Sequence, residues 1–78
     1  MNILIHLING DTISTTMFSE INSISKRMIC IQEAIQNGNL ICGVHTTSNG
    51  GIRKAQMLIP PDKVVIISAN VSNAKENK

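Results

Sequence analysis

Residues 19–38, SEINSISKRMICIQEAIQNG, decide the fold of this chain. Within them Ile21, Ile24, Met28, Ile31 and Ile35 recur at alternating steps of three and four, which draws an apolar stripe down one side of a helix. Ser19 supplies an N-cap hydroxyl, Glu20 puts a carboxylate in the first turn where the helix dipole favours it, and Gly38 after Asn37 supplies a left-handed C-cap. Ser23, Ser25, Lys26, Arg27, Gln32, Glu33 and Gln36 fill the polar circumference, while Ile29 and Cys30 add apolar surface beyond the stripe. The spacing is that of a heptad, but it runs for about two heptads where a coiled coil needs three or four. The stripe is therefore expected to pack on the chain's own flanking segments.

Those segments read as strands. Residues 2–8 favour β structure and lead into Asn9-Gly10-Asp11, where Asn-Gly is a strong hairpin signal. The second arm, 12–17, alternates Ile13, Thr15 and Met17 against Thr12, Ser14 and Thr16, as a strand with one wet face does. After Gly38 a strand over 40–45, a polar loop over 46–51 and a strand over 52–59 make a second hairpin, with Ala55, Met57 and Ile59 facing the core. Pro60-Pro61 stops that strand, and the run 64–69 follows, in which Val-Val-Ile-Ile predicts burial on both faces, at the centre of the sheet or at a subunit contact. The expectation is an α+β fold, a small ββαβββ domain over 1–70 with a mainly antiparallel sheet and one helix on one face; residues 71–78 read as a polar, disordered tail.

Composition narrows the function classes. A chain of 78 residues buries only about 60% of its unfolded surface, so the core is thin. The N-terminal residues lack the basic start and cleavage site of a signal peptide, and two cysteines are too few for a disulfide framework; a cytoplasmic chain with free thiols is expected. Cys30 and Cys42 read as small core residues, and with His6 and His45 they lack the paired spacing of a zinc site. The apolar runs fall well short of the roughly 20 residues that span a bilayer. A net charge of +2 does not indicate a strong polyanion-binding field, and one Phe without Trp or Tyr leaves no stacking platform for single-stranded nucleic acid.

Candidate chemistry centres on His45-Thr46-Thr47-Ser48-Asn49-Gly50-Gly51-Ile52-Arg53-Lys54, where consecutive small residues can aim backbone amides at an anion and Arg53 with Lys54 add charge. An ordinary hairpin turn is the plainer reading, and no Walker pattern exists. His6 and His45 have no nucleophile or carboxylate spaced for a triad, Asp11 and Asp62 read as turn formers, and Glu20, Glu33 and Glu76 are dispersed; the chain is read as no enzyme, without cofactor or metal. Lys26-Arg27 and Arg53-Lys54 are the two basic pairs of the folded region. The leading expectation is a non-enzymatic interaction module, homo-oligomeric, that binds another protein; the small size and the Ile, Asn and Lys bias of AT-rich coding fit an inhibitor of a host protein encoded by a phage or mobile element. The alternatives are a small-ligand or nucleotide binder using the loop between Thr46 and Lys54, and a nucleic-acid-binding regulator using the basic pairs.

Overall fold

The computed structural model describes residues 2–70; the tail expected over 71–78 lies outside them. Five strands form one antiparallel sheet: β1 (Asn2–Leu7), β2 (Thr12–Thr15), β3 (Ile41–Thr46), β4 (Ile52–Met57) and β5 (Val64–Asn70), with helix α1 (Ile24–Gln36) between β2 and β3. The α+β expectation holds, in the predicted element order with one short 3-10 turn (Pro61–Lys63) added before β5. The strand order is β4-β3-β2-β1-β5.

Strand alternation sorts side chains onto two faces. Ile5 opposes Ile13 on β2 and Ile67 on β5, and Ile41 opposes Met57 on β4, so one face is almost continuous aliphatic surface. α1 lies over it, and Ile3, Ile5, Ile13, Ile31, Ala34, Ile35, Ile41 and Ile59 make the buried core. Nearly all of it is isoleucine, each side chain contributing about 1.5–3 kcal/mol when fully buried. The other face carries Leu4, His6, Thr12, Ser14, Cys42, Val44, Lys54, Ile66 and Ser68 by the same register, and among the described residues no helix covers it.

The helix starts later than predicted. Ser23, not Ser19, is the N-cap, its Oγ accepting from Lys26 N at 3.3 Å. Phe18 adopts φ 62°, turning the chain so that Ser19 and Glu20 fall in a turn closed by Ile21 N donating to Phe18 O at 3.0 Å. Ile21 thus precedes the helix. Gly38 does end it: at φ 77° its amide donates to Ile35 O, and Asn39 N reaches Ala34 O, the paired bonds of a Schellman cap.

Three burial expectations are corrected. Arg27 is 4% exposed, its guanidinium donating to Met17 O at 3.4 Å, so it is no part of the polar circumference. Cys42 is exposed on the uncovered face, while Cys30 is half-buried; both are free thiols. Finally, β5 is an edge strand, not the centre of the sheet: Val65 and Ile66 are 62% and 56% exposed, and only Val64, Ile67 and Ala69 pack against the core. An irregular register between His6 and Leu7 gives β5 one extra residue there, which interrupts its alternation.

β2 also ends early, at Thr15 instead of Met17, because side chains replace the ladder. The buried Thr15 hydroxyl donates to Cys42 O at 2.7 Å and accepts from Met17 N at 3.1 Å, while Cys42 N points to Met17 Sδ at 3.3 Å. β4 stops at Met57, since Ile59 belongs to the connection that must run from one edge of the sheet to the other. That connection crosses on the helix side, where Ile59 is buried in the core.

Candidate functional site

Two hairpin loops meet at one end of the sheet because Thr12 on β2 pairs with Thr46 on β3. In the first loop Asn9 Oδ1 accepts from Asp11 N at 2.9 Å, and Gly10 at φ 91° lets the chain reverse. Gly10 also touches the second loop: a Cβ there would stand 3.1 Å from Ser48 Cβ. Asp11 then ties the loops together, its Oδ2 2.8 Å from His45 Nε2 and its Oδ1 accepting from Ser48 N at 3.1 Å. Sequence reading identified Asp11 as a turn former only; no local pattern announces a partner 34 residues away.

The hydrogen bond from His45, the largest influence, holds the Asp11 carboxyl below its ordinary value of 3.8 against burial, the next largest, with smaller help from the Ser48 amide, the charge of His45 and Asn9. A carboxylate lowered by folding contributes stability that is fully present above its unfolded value and disappears as pH falls through the folded one. The stability gap between the native chain and Asp11→Asn is therefore expected to be widest above about pH 4 and to close below it. Urea midpoints of both chains across that range measure this, and a gap that stays constant to low pH contradicts the pairing.

The glycine loop spends its amides on itself. Thr47 N donates to Gly51 O at 2.7 Å, Gly50 N to Thr47 O at 2.9 Å and Gly51 N to Thr47 Oγ1 at 2.8 Å, while Thr47 Oγ1 donates to Asn49 Oδ1 at 2.6 Å. With Ser48 N held by Asp11, the anion served by this loop is the protein's own carboxylate. His45 and Ser48 are thus gathered on Asp11, while Thr47, Asn49, Gly50 and Gly51 bond among themselves.

The basic residues are not gathered. Arg53 lies opposite His45 and Lys54 opposite Val44, and neighbours on a strand point to opposite faces. Lys26 is exposed on α1 but Arg27 is buried, so the basic surface predicted for Lys26 and Arg27 reduces to Lys26. His6 Nε2 is 3.2 Å from Ser68 Oγ across β1 and β5, a base beside a hydroxyl, yet among the described residues no carboxylate is hydrogen-bonded to His6. Catalytic triads need that third group to orient the imidazole. Among the described residues no group of acids, histidines and cysteines is arranged to hold a metal, and no helix is long and apolar enough to cross a membrane.

Two further concave features carry much aliphatic surface. A cavity of about 330 Å³ beside His45 is lined by Leu7, Ile8, Met57, Leu58 and Ile59. A larger groove, about 510 Å³, runs between α1 and β5, bounded by Met28, Ile29 and Gln32 on the helix and Val64, Val65 and Ile67 on the strand. Ile29, an apolar residue outside the helix stripe, is 52% exposed there. Comparison with protein-family models, with curated proteins and with solved structures returned no match to this chain.

Proposed function

We propose that the chain is a non-enzymatic interaction module that assembles with itself and acts by binding another protein, using the side of the domain where α1 and β5 meet. The observation that carries this reading is the difference between the two sheet edges. Exposed edges present unpaired backbone groups and are commonly protected by charge or proline. β4 has Arg53 and Lys54, both exposed, in its middle. β5, by contrast, reads Val-Val-Ile-Ile-Ser-Ala-Asn without a charge, and its exposed Val65 adjoins the groove that holds Ile29. Exposed aliphatic groups beside an open edge suit β-strand addition, in which main-chain hydrogen bonds give affinity and the adjoining groove gives specificity.

The anion-binding reading draws less support, since the amides of Thr47, Ser48, Gly50 and Gly51 are already engaged, and the nucleic-acid reading is left with separated charges. Retention of host proteins on the immobilised chain tests the proposal. A protein held by the native chain and by Lys54→Glu but lost with Val65→Lys supports it. Equal retention by all three contradicts this choice of surface.

A further inference from the structure

Resting on the interaction-module reading, we infer that the occupant of the β5 edge is a second copy of the chain, paired antiparallel about a two-fold axis at Ser68. Among the ways two copies can pair edge to edge, the charge pattern selects β5 with β5. β5 meeting β4 of another copy would set the bare edge against Arg53 and Lys54 with no acid on β5 to receive them, and β4 meeting β4 would oppose like charges. β5 meeting β5 brings no charge to the junction. It is also the isologous arrangement, which closes at two copies, whereas head-to-tail edge pairing propagates into a fibre.

The register follows from the bulge. The extra residue at the start of β5 leaves Ile66–Asn70 regularly paired on β1, and Ser68 is the middle of those five. An antiparallel self-pairing centred there sets Ser68 opposite Ser68, Ile67 opposite Ala69 and Ile66 opposite Asn70. The axis is perpendicular to the sheet, so the two five-stranded sheets become one of ten strands with both helices on the same face. The α1–β5 grooves then lie on that same face, displaced to either side of the axis. Five paired residues alone bury less than the roughly 1,200–2,000 Å² of a stable interface, so the helices must contribute, and Ile29 and Val65 are the exposed aliphatic residues placed to do so. This arrangement explains why an uncharged edge and an apolar residue outside the helix stripe border one groove.

Light scattering coupled to size-exclusion chromatography reads the mass, and a disulfide reads the register. Residues directly opposite in an antiparallel pair have Cα atoms about 4.5–5.5 Å apart, inside the window of about 4.4–6.8 Å for a disulfide. The expected result is a mass twice the 8.5 kDa of one chain. Ser68→Cys, in a chain with Cys30→Ala and Cys42→Ser, should oxidise to a covalent dimer, whereas Gln56→Cys on β4 should not. Val65→Lys and Ile29→Lys, both at exposed positions that tolerate the change in a single chain, should each weaken the dimer by at least about tenfold, with circular dichroism unchanged. Lys54→Glu should leave it intact. A single-chain mass at every concentration overturns the inference, as does a dimer that ignores Val65→Lys and fails to cross-link at position 68. If such a chain still captures a host protein through the α1–β5 side, the module reading survives without it. A β5-linked dimer that captures nothing supports the inference and removes the partner protein from that reading.

Discussion

Ile5→Ala is expected to lower the unfolding free energy by about 2–5 kcal/mol, the range for removing a buried isoleucine side chain. Ile5 is fully buried and stands at the crossing of the core, opposite Ile13 on one neighbouring strand and Ile67 on the other. Neither neighbour can collapse into the space without pulling its strand out of register, so the cavity persists. After the entropy cost of folding, a chain below about 80 residues with a single core rarely retains more than about 3–5 kcal/mol of net stability, which brings the variant close to its unfolding midpoint at room temperature. Urea unfolding of the two chains gives the difference directly. Ile52→Ala serves as the control, since Ile52 is 71% exposed and its loss should change stability by less than about 0.5 kcal/mol. Similar losses at the two positions would contradict the assignment of the core face.

Gly43→Val is the second large effect, by the opposite mechanism. A Cβ at Gly43 would lie 2.5 Å from Ser14 O and 3.2 Å from Ile13 Cγ2. The first of these is backbone and has no rotamer to escape into, so β2 and β3 must separate where Ser14 pairs with Val44. The expected cost is about 3 kcal/mol, the upper part of the range for overpacking, seen as a fall in melting temperature and as lost amide protection along β2 and β3. Gly50→Ala provides the contrast. Nothing stands within 4 Å of a Cβ there, but φ is +98°, so only the conformational penalty of about 1–2 kcal/mol applies. A milder effect at Gly43 than at Gly50 would show that the two strands are not in close approach.

What could be read from sequence was local. The stripe of Ile24, Met28, Ile31 and Ile35, the Gly38 cap and the Asn9-Gly10 turn each depend on neighbours within a few residues, and all three appear in the structure. Features set by distant partners were not legible. Val-Val-Ile-Ile looked like a strand buried on both sides, because hydrophobicity does not distinguish a central strand from an unguarded edge. Arg27 looked solvated because of its charge; only the turn that Phe18 creates brings the Met17 carbonyl to its guanidinium. The glycine loop had the composition of an anion site, but whether its amides are free depends on Asp11 in another hairpin. The edge asymmetry and the exposed Ile29 needed the strand order before they acquired a meaning.

The connection crossing from β4 to β5 also fixes an order of events in time. β1 pairs with β2 through a short turn, but its other neighbour begins at Val64, whose partner Leu7 lies 57 residues earlier (64 − 7). Loop closure over that span costs more than any hairpin in the chain and rewards nothing until the last strand exists. While the ribosome is still adding residues, the outer edge of β1 therefore waits unpaired, next to a helix and three strands that have already been made. The nascent chain is at its most vulnerable to mispairing in the interval before β5 emerges, and in that interval another chain's β5 would fit the vacancy as well as its own.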